Sequence, residues 1–553
     1  MNTLTMLFSS ILSPLPLFLS LQSLSSANAS PVEDSAKFPN IDLGYAIHAP
    51  TFINTTASGV KLGNYNNIRF AQPPIGDLRF RNPKTPPPRQ HGVQDGVMNP
   101  TPDCVSSANK YVPFPGINGT HWGTEDCLYL NVRVPEGVKP GDNVPVIHQI
   151  SGSAYSFGSK DLFYASLDSI GLFDGIKSPE ENFIFVSHNY RLGLFGWTSS
   201  PYEDMDANIG LHDSVAAVEW TKKYIERFGG DPDHITVFGQ SSGAAIINMM
   251  LTGNGGRGSL PFSKAIISSP ALLPRRNVTT RRQEVYEAVL DATNCTSLAC
   301  LRAVPEAELE AINHHLISEV KSDSGGGSFG PGIGFAPLVD GSYVPDAPQV
   351  LLEKGCFNKK VESVIASNTL NEGQGLSSDE NMPENFPTIV KRVFPSASIE
   401  TIKRIQDLFP LKDDEPPEKL AWDWTTSVLF ACTSENIARA YAKIGKGRRY
   451  FLSAPPATHG FDMYYLLHIN STLTPLHNET VALQSQSYLR NFVSAEDAEL
   501  PTPPETPDWP LYGSEAATLE IRENEFKIVR DPWEEKGICE GLMEVILDEE
   551  NGA

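Results

Sequence analysis

A chain of 553 residues with 40% hydrophobic side chains holds enough apolar material for a large buried core. Its formal net charge of −23 repels a phosphate backbone and no basic cluster offsets it, which excludes nucleic-acid binding. Length alone would allow roughly two to four domains, but no linker supports a split. Pro and Gly are spread along the chain, no period repeats, and Gly325-Gly326-Gly327 is too brief for a tether. One α/β domain over residues 30–553 is expected.

Residues 1–29 carry no charged side chain, are apolar from about Met6 to Leu24 and end in Ala27-Asn28-Ala29, a small-x-small cleavage signal. Pro14, Pro16 and many serines interrupt the run well short of the ~20 apolar residues of a membrane span. A signal peptide and secretion are expected, although the usual basic residue near the start is missing. Asn-x-Ser/Thr sites at Asn54, Asn118, Asn277, Asn294, Asn470 and Asn478 fit a glycosylated secretory protein, and a further one at Asn28 leaves with the leader.

The segment Val144-Pro145-Val146-Ile147-His148-Gln149-Ile150 is followed by the loop Ser151-Gly152-Ser153-Ala154-Tyr155. Val237-Phe238-Gly239-Gln240-Ser241-Ser242-Gly243-Ala244 reads as a short apolar strand, a Gly-x-Ser-x-Gly turn and the start of a small-residue helix. That is the context of a nucleophile elbow: the glycines let strand and helix meet without Cβ clashes and leave the Ser241 hydroxyl exposed at the apex. Val364-Ile365-Ala366-Ser367-Asn368 reads as a buried strand with Glu372 just past its carboxyl end, where α/β folds assemble their sites. A serine nucleophile needs a histidine base oriented by a carboxylate. The chain order Ser, acid, His leaves His314, His315, His459, His468 and His477 open as the base.

Further landmarks are Gln72-Pro73-Pro74-Ile75-Gly76-Asp77-Leu78-Arg79-Phe80, Glu125-Asp126-Cys127-Leu128-Tyr129-Leu130-Asn131-Val132 and Asn189-Tyr190-Arg191-Leu192-Gly193-Leu194-Phe195-Gly196. Asn208-Ile209-Gly210-Leu211-His212-Asp213, Trp220 and Phe228-Gly229-Gly230-Asp231-Pro232 follow and lead into the elbow. In this order, over roughly residues 40 to 540, the chain resembles the type-B carboxylesterase/lipase family. The resemblance implies an α/β-hydrolase fold, a large mostly parallel central sheet flanked by helices, and a serine hydrolase needing no cofactor and no metal. No Cys/His set has zinc-ligand spacing either.

The resemblance selects His459, in Ala457-Thr458-His459-Gly460-Phe461-Asp462, and matches Asn371-Glu372-Gly373 to the family's acid. Ser241, Glu372 and His459 are the expected triad, with the amides of Ser153, Ala154 and Ser242 as the oxyanion hole. The family usually carries His-Gly-Gly-Gly-aromatic where this chain has Ser151-Gly152-Ser153-Ala154-Tyr155, which implies a narrower acyl site. Gln240 stands where many members have Glu, which argues against a cholinesterase-like preference for cations. The family's two loop-closing disulfides correspond to Cys104–Cys127 and Cys295–Cys300. Among Cys356, Cys432 and Cys539 the pairing stays open, Cys432 with Cys539 and a buried Cys356 thiol being one arrangement.

The loop between Cys104 and Cys127 holds Tyr111-Val112-Pro113-Phe114-Pro115, too short and proline-broken for the amphipathic lid of a lipase, and carries the Asn118 sequon. Trp122 in the same loop is either a gorge residue or a packing aromatic. Small soluble esters are therefore expected as substrates, without stable membrane insertion, and the oligomeric state is open. A lipase, or an acyltransferase or lactonase using the same triad, is the alternative, whereas a non-catalytic scaffold relative would lack a triad residue.

Overall fold

The computed structural model describes residues 38–110, 116–152, 154–161, 168–276, 279–319, 334–474, 476–496 and 500–552. The leader, residues 111–115, Ser153 and Asn277 lie outside the described residues. An eleven-stranded sheet runs in the order Phe526–Arg530, Ala517–Ile521, Gly447–Leu452, Ser363–Thr369, Lys264–Ser268, Gly230–Gln240, Val144–Ile150, Ile184–His188, Tyr129–Pro135, Lys61–Arg69, Phe52–Thr55. From Ala517–Ile521 through Ile184–His188 every pairing is parallel; the strands beyond each end pair antiparallel.

Parallel strands need crossover connections, which place helices over both faces and make the strands apolar throughout. Lys264–Ser268 and Ser363–Thr369 are accordingly buried at every position. Side chains alternate between faces along a strand, and the core divides along that alternation. Val237, Ala265, Ile267, Val364 and Ala366 join one cluster with residues of the helices Ile209–Tyr224 and Ser242–Thr252. Phe238, Ile266 and Ile365 join another with Val481, Tyr488, Leu489 and Phe492 of the helix Glu479–Ser494.

A third cluster gathers around Trp424, from the helices Phe386–Val393, Ile399–Asp407 and Ile538–Leu547. The bond between Cys432 and Cys539, 107 residues apart, fastens it to the helix Cys432–Ala442 against the sheet. Cys104 is bonded to Cys127 and Cys295 to Cys300. Cys356 is half-buried, not buried, because it follows the exposed turn at Lys354-Gly355.

The sequence landmarks meet as buried ion pairs. Arg79 grips Glu125 at 2.6 Å and Arg191 grips Asp213 with two bonds of 2.6 and 2.8 Å. Trp122, half-buried in the first disulfide loop, donates to Asp103 just before that loop at 3.2 Å. Asn118, Asn294 and Asn470 are exposed, while Asn54 and Asn478 are half-buried. Among the described residues no helix is long and apolar enough to cross a membrane.

Candidate active site

The strand Gly230–Gln240 ends at Ser241, and the helix Ser242–Thr252 starts at once. Ser241 is held at φ 57° and ψ −122°, a region that residues with a Cβ enter only under compulsion. Its neighbours supply the compulsion: the Ser241 amide donates to the Ser268 carbonyl at 2.9 Å, and the Ser241 carbonyl accepts from Ala245 and Ala271 at 3.0 and 3.1 Å. A Cβ on Gly243 would stand 2.1 Å from the Ile150 carbonyl, and one on Gly239 2.6 Å from Gly243. Both motif glycines are steric necessities of the turn.

His459 Nε2 lies 2.9 Å from Ser241 Oγ, and its Nδ1 lies 2.5 Å from Glu372 Oε2. The other oxygen of Glu372 accepts from the Thr369 amide at 2.6 Å and the Ser269 hydroxyl at 2.5 Å. Two donors on Oε1 fix the fully buried carboxylate with Oε2 turned to the imidazole. With Nδ1–H committed to Glu372, Nε2 carries the lone pair that accepts the Ser241 proton. Phe430 packs its ring 4.5 Å from the imidazole, and Gly460 at φ 78° turns the loop that presents it. Gln240 Nε2 also reaches His459 Nε2, at 3.2 Å.

The expected oxyanion donors are only partly within the described residues. Ser242 opens the helix, and an α-helix offers its first amides no acceptor of its own, a position that favours negative charge. Ala154 is half-buried at φ 53°. The loop is clamped by Tyr155, which donates to the Ala271 carbonyl at 2.7 Å, and by Tyr190, which donates to the Ser151 carbonyl at 3.0 Å and contacts Ser242 Oγ at 3.2 Å. A Cβ on Gly152 would meet the Gln240 carbonyl at 2.6 Å and Ser241 Cβ at 3.0 Å, which explains why this glycine alone remains of the family's three.

The other candidate bases are elsewhere. His468 is buried between Glu479 and Thr474, His477 is exposed, and His314 and His315 lie on the helix Glu306–Ser318. Two residues were not singled out in the sequence. Ser269 holds Glu372, and its only linear signal is its place just past a buried strand. Asp462, fully buried and bonded by the Tyr450 hydroxyl at 2.9 Å, is pushed up to about 7 by burial and the charge of Glu372. Among the described residues no group of three or more His, Cys, Asp or Glu side chains is placed to hold a metal ion.

The sequence profile of the carboxylesterase family matches residues 52–536. Carboxylesterase patB of Aspergillus clavatus is 30% identical over 534 residues, covering 87% of this chain and 91% of that protein. A secreted lipase of Arthroderma benhamiae is 26% identical, covering 77% of this chain and 83% of that protein. Among solved structures, EstA of Aspergillus niger superimposes with a TM-score of 0.79 at 24% identity, over 94% of this chain and 100% of its own. That likeness establishes the fold, the large mixed sheet of an α/β-hydrolase with helices on both faces.

Proposed function

The chain belongs to the carboxylesterase family, and from that premise we propose that it is a secreted serine carboxylesterase working through Ser241, His459 and Glu372. The observation that carries the reading is His459 bridging Ser241 and Glu372 at 2.9 and 2.5 Å. His459 takes the Ser241 proton as Oγ attacks the ester carbonyl, and the oxyanion that forms is met by the amides of Ser242, Ala154 and Ser153. Collapse breaks the C–O bond, His459 returns the proton to the leaving alcohol, and an acyl-enzyme remains. Water deprotonated by His459 then releases the acid. Glu372 keeps the tautomer and faces the imidazolium in both steps.

Secretion is supported by the apolar leader with its small-x-small end, by the sequons and by the three bonded cysteine pairs, which form in oxidising compartments. We read residues 30–553 as one catalytic unit acting on small soluble esters. A fluorophosphonate probe tests the triad. It should label the mature parent on Ser241 alone, and Ser241→Ala should lose both labelling and roughly four to six orders of magnitude in kcat. Labelling that persists in Ser241→Ala removes the assignment. Analysis of products in the presence of competing alcohols separates hydrolysis from acyl transfer.

A further inference from the structure

Gln240 is the last residue of the strand Gly230–Gln240, half-buried and one position before the nucleophile. Its carboxamide is wedged between two loops of the site. On one side its Nε2 lies 3.2 Å from His459 Nε2, and a Cβ on Gly460 would stand 3.5 Å from it; on the other, a Cβ on Gly152 would stand 2.7 Å from its Oε1. The orientation follows from the tautomer. Glu372 holds His459 Nδ1–H, so Nε2 presents a lone pair, and only the NH2 end of a carboxamide can donate to it.

Two donors therefore converge on one lone pair, the Ser241 hydroxyl at 2.9 Å and the Gln240 amide at 3.2 Å. Proton transfer consumes that lone pair. Once Nε2 has taken the Ser241 proton it can only donate, and the Gln240 N–H loses it as an acceptor. The next atom to approach Nε2 is the oxygen of the leaving alcohol, which must come within about 2.6–3.2 Å to receive the proton. That brings it beside the Gln240 amide. We propose that Gln240 is a catalytic residue for alcohol departure, its amide passing from His459 Nε2 in the resting enzyme to the leaving oxygen in the tetrahedral intermediate; the inference rests on the esterase reading above.

In acylation the bond between the former carbonyl carbon and the alkoxy oxygen breaks and its electron pair goes to that oxygen. His459 Nε2–H delivers the proton there, and the Gln240 N–H donates to the negative charge that builds up. In deacylation water takes the same place: its oxygen accepts from Gln240, bonds to the acyl carbon and gives a proton to Nε2, after which Ser241 Oγ leaves and takes the proton back. A donor engaged elsewhere in the ground state and aimed at charge that develops in the transition state lowers the barrier without tightening substrate binding. An ionised Glu at this position has acceptors only, so the carboxamide, not the size of the side chain, is what this role requires.

The test compares kcat/KM by pH-stat titration for ethyl acetate and p-nitrophenyl acetate, which share an acyl group and differ in the leaving oxygen. p-Nitrophenolate is a stabilised anion that departs without a donor, whereas ethoxide needs one. In Gln240→Met the ratio of ethyl to p-nitrophenyl acetate should fall about tenfold or more, the loss expected for a hydrogen bond to a charged oxygen. Gln240→Glu keeps the shape and removes the N–H donors; its ratio should fall likewise, and it carries the test if Gln240→Met does not fold. Folded variants in which both esters slow by the same factor mean that the amide only props the imidazole, and they overturn the proposal. A parent ratio in Gln240→Glu overturns it too. Parent activity on both esters that Ser241→Ala abolishes keeps the esterase reading intact whichever way the ratio goes, and a parent inactive on both sinks both.

Discussion

Ala154 and Gly152 stand two residues apart in the proposed oxyanion loop and obey opposite rules. Gly152 has no room for a Cβ against Gln240 and Ser241, so Gly152→Ala should displace the elbow and abolish activity in a folded chain. Ala154 carries a Cβ at φ 53°, a conformation that glycine adopts more readily. Ala154→Gly should therefore raise stability by about 0.5–1 kcal/mol in thermal unfolding. The same change should raise kcat/KM for esters of tertiary alcohols relative to primary ones; an unchanged ratio places Ala154 away from the substrate path. Asp462 supplies a pH dependence. Its carboxyl is raised to about 7, so the folded chain holds that proton more tightly than the unfolded chain. Its contribution to stability is complete below an ordinary carboxylate pKa of about 4 and declines as pH rises to about 7. Asp462→Asn, which keeps an acceptor for Tyr450, lacks this loss, so the Tm of the variant relative to the parent should climb between pH 4 and pH 7.

Between elements, the landmark motifs act as struts. Arg191 follows Tyr190, whose hydroxyl is bonded to the Ser151 carbonyl, and Asp213 on the helix Ile209–Tyr224 holds Arg191 with both partners buried. Removing one member of such a pair strands a buried charge, so Asp213→Ala should cost about 3–5 kcal/mol in urea unfolding. It should also lower kcat before global unfolding, because Tyr190 loses its footing. The strand and helix carrying the elbow were legible because their requirement is local: two glycines and a serine forced to positive φ. The helices of the third cluster were not legible as a unit, since Phe386, Trp424 and Leu542 meet only through the path of the chain.

At the scale of the whole molecule, the Cys432–Cys539 bond closes the longest loop among the three disulfides. Loop-closure entropy for about 100 residues corresponds to about 4–5 kcal/mol, so the double variant Cys432→Ser/Cys539→Ser should unfold at distinctly lower urea than the parent. A thiol reagent applied to the denatured, unreduced parent should label one cysteine per mature chain, Cys356; labelling of three would mean that the third bond does not form in the cell. On acid, the buried His148 and His188 add a further limb. Burial lowers both, His188 to about 3, so the folded chain refuses protons that the unfolded chain accepts. Their contribution is intact above an unfolded pKa of about 6.5 and is lost as pH falls below it, and Tm should drop through that range.

What the sequence by itself determined about this protein was the fold class, the family and ester chemistry, because a strained serine turn and buried parallel strands impose residue types on short stretches. It also bounded the site, naming a serine and the strand end where an acid would stand, but by its own order of residues it left five histidines open. Tertiary structure decided what depends on chain path. Ser269 turns Glu372 toward His459, Cys432 finds Cys539 rather than Cys356, and Arg79 finds Glu125. Long-range partners are chosen by which surfaces burial brings together, and that choice is written in the packing of the whole chain rather than in any one segment.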